Sequence, residues 1–379
     1  MYSHLRQAFP AWYVEGFAEY LSTVDYDNGS FIVGDVFKER EATLTDGSPW
    51  VDFRLLVDPK KFTEESAKGQ IEVMHFYAQS WLLTHYMLAD TKRTQELYKY
   101  FDRIDKGEDG VESFESATGI HVDKLENLLT NYWGRLGAIK VKVPAVPENS
   151  IVLTTLPKGE SDYVLQAAVL QTCPSPDYGK ELAGELRAMK DKHANDPEFT
   201  MAEADAELLY GDINAARTDL EQLLQKDNSN FEAHYLLGRT YYDSAVKDKS
   251  SDPAQMELAS REFITAYKLD KLNAANLYFL ARSLDALPGG GPPSKSIFNA
   301  AVGAATLAPG VGEYAFYAAY VSLRSGNREQ AVRSLLPFAS DPHNPGQAAR
   351  VAAMIAAIKS GKSVSEVMNA GNDEKGGQK

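Results

Sequence analysis

The sequence predicts a mostly α-helical protein in two parts: a helical domain with a few short strands, then an α-solenoid of stacked helix pairs. Three observations predict this. Apolar residues recur at helical spacing through most of the chain. Short β-branched runs are confined to the region before residue 160. From about Asp177 the pattern becomes short helices in pairs, with small residues at recurring positions. The 379 residues suffice for two or three domains with a sizeable core. The formal charge of −14, from 39 Lys+Arg against 53 Asp+Glu, argues against a protein that tracks phosphates or seeks anionic membrane. A single cysteine, Cys173, excludes an intrachain disulfide framework and a Cys-rich zinc site. No transmembrane run and no signal peptide are read, and the compartment stays open.

Residues 1–137 read as one domain. Pro10 to Leu21 opens it as a helix with Phe9, Trp12, Tyr13, Phe17 and Leu21 as apolar positions. Phe31 to Phe37 and Trp50 to Phe53 are short strand candidates in a loop-rich stretch. A strong helix follows from about Gln70 to Leu88, because Ile71, Met74, Ala78, Trp81, Leu82, His85 and Leu88 recur at helical spacing. Further helices cover about Arg93 to Ile104 and Val122 to Trp133. Residues 138–176 read as a linker with extended segments, for Lys140 to Pro144 and Ile151 to Pro157 combine β-branched runs with prolines.

Residues 177–369 divide into helix pairs at about 197–230, 231–273, 274–311 and 312–345, closed by a capping helix from Gln347 to Lys359. Phe231 to Tyr242, with its Leu237-Gly238 pair and Tyr241, resembles the first helix of a tetratricopeptide repeat (TPR). Ala259, Phe263 and Ala266, ending in Leu269-Asp270, resemble its second helix. Gly238, Ala281, Ala319, Ala216 and Ala331 let paired helices approach while larger residues fill the layer between. Val246 to Ala254 and Pro288 to Pro293 are insertions between helices, and the 370–379 tail reads as disordered. A TPR array implies a groove for a peptide or protein partner. Arg239, Arg282 and Arg324 are spaced like inner-helix positions of such a groove.

Trp12, Glu15, Gly16, Ala18 and Tyr20 spell W-x-x-E-G-x-A-x-Y, with His4 upstream. The stretch resembles the second zinc-binding helix of gluzincin-type metallopeptidases. In that family an H-E-x-x-H helix supplies two histidines and the general base, and the second helix supplies a carboxylate. The resemblance covers about the first 135 residues and implies zinc held by His4 and Glu15, with Glu19 as a supporting group. Tyr77 would be the hydroxyl that donates to the tetrahedral intermediate. Laid on the pattern, Met1 stands where the general base belongs and the first histidine is missing. The expectation is therefore a domain that binds zinc weakly or not at all and is inactive as the chain stands. His75 and His85 read as satisfied core histidines rather than replacement ligands. Gly289-Gly290-Gly291 lacks the lysine and the strand of a phosphate loop, and Cys173 has no suggestive partner. The first functional expectation is thus part of a zinc peptidase fused to a TPR array. The alternative is a non-catalytic TPR scaffold carrying a decayed peptidase domain, and a third reading makes the N-terminal part a helical cap on the solenoid.

Overall fold

The computed structural model describes residues 9–143, 155–156, 159–247, 252–289, 291–339 and 344–370. The expectations resting on His4 and its neighbours, on most of Ile151 to Pro157 and on the tail after residue 370 lie outside the described residues. The described residues fall into two units. One lies within His4–Glu148 and Arg328–Lys379, the other within Asn149–Asn327.

The first unit is built on α1 (Ala11–Ser22), β1 (Asp25–Asp27), β2 (Ser30–Val33), α2 (Lys38–Leu44), α3 (Phe53–Leu56), α4 (Pro59–Ala67), α5 (Val73–Leu88), α6 (Thr91–Asp105), α7 (Gly110–Thr118), α8 (Leu125–Trp133) and β3 (Ile139–Lys142). Carboxylates start its helices: Asp58, Glu72, Asp90 and Asp109 each accept backbone N–H groups at an N-cap. Pro59 follows Asp58 at the first helical position, where its missing N–H costs nothing. The core is aromatic, with Trp12, Trp81, Tyr100, Phe101 and Phe114 fully buried.

The strands differ from the expectation. β2 is shorter than Phe31 to Phe37 and is central to an antiparallel sheet of order β1-β2-β3, with Tyr26 opposite Phe31 and Phe31 opposite Val141. Trp50 to Phe53 is not a strand. The N–H and C=O of Val51 are both taken by the side-chain amide of buried Gln79, at 2.7 and 2.8 Å. Asp52 then caps α3. Ile139–Lys142, read as the start of a linker, pairs with β2 instead, and α9 (Val164–Leu170) interrupts the rest of that stretch.

The same unit contains α18 (Arg328–Leu335), α19 (Pro345–Lys359) and α20 (Val364–Asn369). α19 packs on α4 and α18 and buries Val351, Met354, Ile355 and Ile358. The Thr63 hydroxyl donates to the Ala339 carbonyl at 3.2 Å, and Arg328 donates to the carbonyls of Ile358 and Lys362 at 3.0 and 2.8 Å. The sequence placed these helices at the end of the solenoid. Their apolar spacing shows that a face is buried but not what covers it, and here α4 does.

The second unit continues from α9 through α10 (Pro176–Met189), α11 (Pro197–Tyr210), α12 (Ile213–Lys226), α13 (Phe231–Lys247), α14 (Pro253–Leu269), α15 (Ala274–Asp285), α16 (Lys295–Leu307) and α17 (Gly312–Arg324). From α10 to α17 each helix packs on the next in sequence. α11 also meets α13, and α13 meets α15, so the first helices of successive pairs share a face. Small residues set the spacing. A Cβ on Gly238 would stand 2.6 Å from the Phe263 ring, and Ala259, Ala266, Ala281 and Ala304 are completely buried. The molecule is thus mostly helical with a few short strands. Among the described residues no helix is long and apolar enough to cross a membrane.

Candidate functional site

In the first unit, α1 and α5 lie unusually close. A Cβ on Gly16 would fall 2.2 Å from the Ser80 carbonyl and 2.3 Å from the Thr84 hydroxyl, so only glycine permits the crossing. Glu15 is buried beside that contact, at 8% exposure. One turn on, both oxygens of the Glu19 carboxylate accept from one edge of the Arg40 guanidinium, from Nη2 at 2.6 Å and Nε at 2.9 Å. Arg40 also stands 5.2 Å from the Tyr77 ring and 5.5 Å from Phe37. Burial pushes the Tyr77 phenol above its ordinary value, the charges of Glu15 and Glu19 push it further, and Arg40 opposes them. Tyr77 therefore keeps its proton at neutral pH and can act as a donor.

The structure so brings Glu15 and Tyr77, both singled out in the sequence, into one neighbourhood with Glu19. Arg40 completes it, and nothing in the charged stretch Lys38-Glu39-Arg40-Glu41 marked Arg40 out from its neighbours. His4 lies outside the described residues. Trp12 is a core residue: fully buried, it donates from Nε1 to the Tyr100 hydroxyl at 3.5 Å, and Tyr100 donates to the Val57 carbonyl at 2.6 Å.

His75 and His85 are engaged elsewhere. His75 Nδ1 meets Glu72 at 2.9 Å. His85 Nε2 lies 2.8 Å from the Gly34 carbonyl and Nδ1 lies 2.7 Å from the Tyr132 hydroxyl. A carbonyl can only accept, so Nε2 carries the proton and Nδ1 accepts from Tyr132. Burial holds this ring below the usual histidine value, favouring the neutral form. Among the described residues no group of three His, Cys, Asp or Glu side chains converges as a metal would require. The residues described do not by themselves make up a three-ligand zinc set.

The second unit carries a different feature on the shared face of α13, α15 and α17. Arg239 pairs with Asp243 at 2.9 Å and lies 4.0 Å from the Phe279 ring. Arg324 pairs with Asp285 at 2.7 Å and lies 5.2 Å from the Tyr320 ring. Between them Arg282 is ringed by Tyr242, Tyr278 and Tyr317. Tyr317 donates to Asp285 at 3.2 Å, and Tyr278 and Tyr314 stack at 4.7 Å. Burial pushes the Tyr278 and Tyr317 phenols far above the ordinary range, helped by Glu313 and Asp285 respectively. The arginines were legible as a spacing. The tyrosines between them were not, for nothing separates them from the other tyrosines of the chain.

No protein-family model matches the chain, and no curated protein matches it. Among solved structures, the crystal structure of a thermophilic TPR protein of Thermus thermophilus is similar, with a TM-score of 0.41 and 15% identity. The likeness takes in 51% of this chain and 97% of that one. The peptidase resemblance of the first unit thus rests on its own residues alone.

Proposed function

We propose that the chain is a non-catalytic interaction scaffold. Its second unit is a TPR-type array that takes up a peptide or protein segment along the face shared by α13, α15 and α17. The observation that carries this reading is the row of arginines and aromatic rings crossing three successive first helices. Aromatic and arginine side chains are enriched among the few residues that carry most of the binding energy at protein interfaces. The test is site-specific photo-crosslinking in the native host. Benzoylphenylalanine at Phe279 or Tyr320 should capture a partner polypeptide, whereas the same probe at exposed Tyr267 on α14 should not. Capture from Tyr267 alone would overturn the proposal.

A second reading is favoured by one observation, the convergence of Glu15, Glu19 and Tyr77. It is a zinc peptidase in which Glu15 binds the metal, His4 adds a ligand and Tyr77 donates to the developing oxyanion. Glu19 is committed to Arg40, and no catalytic step is derived through zinc. Stoichiometric zinc that survives dialysis and is lost in Glu15→Gln would favour this reading over the scaffold.

A further inference from the structure

Along the ring-lined face of the array, Arg239, Arg282 and Arg324 stand against Asp205, Glu232, Asp243, Asp285 and Glu313. Three cations against five carboxylates leave two negative charges in excess. Asp243 is taken by Arg239 and Asp285 by Arg324, while Glu313 accepts from the Tyr278 hydroxyl at 2.6 Å. The surplus therefore falls on Asp205 of α11 and Glu232 of α13. Among the described residues neither has a cation within ion-pair distance, and Asp205 accepts from the Gln171 side-chain amide at 3.2 Å. Burial raises the Asp205 carboxyl, the charge of Glu232 raises it further, and Arg239 opposes both. The two carboxylates continue the ring-lined row. Glu232, Tyr235, Arg239 and Asp243 recur at helical spacing on α13, and α13 packs on α11. Tyr235 feels the charges of both Asp205 and Arg239, and its ring stands 6.2 Å from that of Phe279.

We propose that the segment taken up by the array is basic, and that Asp205 and Glu232 together hold one of its lysine or arginine side chains. The inference rests on the peptide-binding reading above and adds the chemistry of the partner. A partly desolvated carboxylate beside a like charge gains most from a cation that brings its own N–H donors. Lysine and arginine supply both the charge and the donors. An acidic segment would meet the excess negative charge of the face and be repelled.

Selection of random dodecapeptides on the full chain tests it, with groove binders identified by their loss on Tyr314→Ala. The expected binders are enriched in Lys and Arg. Replacing the critical Lys or Arg by Gln in a selected peptide should weaken binding about tenfold or more, as for a lost hydrogen bond to a charged group. The double variant Asp205→Asn, Glu232→Gln, checked for native circular dichroism, should weaken the basic peptide similarly and leave the Gln version nearly unchanged. The peptide substitution reads on the unmodified protein, so it stands even if the variant misfolds. Groove binders without basic preference, or indifferent to the double variant, would overturn the inference and leave the scaffold reading intact. If no peptide depends on Tyr314, both readings fall.

Discussion

The two units solve the same packing problem in opposite ways. In the first, contacts join residues far apart in sequence: Trp12 meets Tyr100, His85 meets Gly34, and α19 closes on α4. Its core is aromatic. In the second, each helix packs on its neighbours, with alanines and glycines at the crossings. Local packing makes stability close to a sum over neighbouring pairs, whereas long-range packing makes it all-or-none. The consequence is that damage to one unit should read out differently from damage to the other.

The largest expected effect comes from removing residues 328–379. Four large apolar side chains of α19, Val351, Met354, Ile355 and Ile358, are buried, each contributing roughly 1.5–3 kcal/mol, so the loss is roughly 6–12 kcal/mol. Hydrogen exchange should lose protection in α4 and α5 while α11 to α15 keep theirs. Uniform loss across both units would erase the comparison.

Next in size is a pair of glycine substitutions. Gly16→Ala drives a methyl group into the Ser80 carbonyl, a backbone atom that cannot yield, and should cost about 3 kcal/mol. Gly238→Ala meets the edge of the Phe263 ring, a side chain rather than backbone. There a strain of about 1–2 kcal/mol is largely offset by roughly 1 kcal/mol of improved helix propensity. Urea denaturation of the two variants decides the point, and equal destabilisation would contradict it.

Smaller, and of opposite sign in the two units, is the response to pH. Burial holds His85 below its ordinary value. Its contribution is complete above the unfolded value of about 6.5 and is lost as pH falls through the lowered folded one. In α11, burial raises the carboxyls of Glu203 and Asp205, with like charges adding to it. Their contribution is complete below unfolded values of about 4.3 and 3.9 and is lost as pH rises through the folded ones. Acidification from pH 7 to 4 should therefore weaken exchange protection around α5 and strengthen it around α11. His85→Gln should flatten the first trend and Glu203→Gln the second.

The smallest effect sharpens the site itself. Glu15→Gln removes one of the two charges that oppose ionisation of Tyr77, so the Tyr77 titration should move down toward its ordinary value. Selectively labelled tyrosine NMR would follow it. An unmoved titration would separate the two residues.

Legibility followed the same division. Helical spacing marked α1, α5, α6 and α8, and acid N-caps were present to mark α4 and α7, although neither helix was read from the sequence. Strand candidates were less secure, because a β-branched run does not say whether a partner strand comes to lie beside it. Val51 satisfies its hydrogen bonds on the Gln79 side chain, a partner 28 residues away that no local pattern reveals. At the candidate site, Glu15 and Tyr77 were legible as residues and Arg40 was not, since its role exists only where α2 meets Glu19.

The sequence by itself determined the helical character, the series of helix pairs and the residue types that chemistry would need. These depend on periodicity and on caps, which act within a few residues. Only the tertiary structure decided that β3 pairs with β2, that α19 covers α4 rather than ending the array, and that Arg282 stands among tyrosines while its neighbours are neutralised. Each of those outcomes depends on which distant surface comes to lie opposite, and burial of an apolar face is indifferent to the identity of its cover until shape and charge choose one.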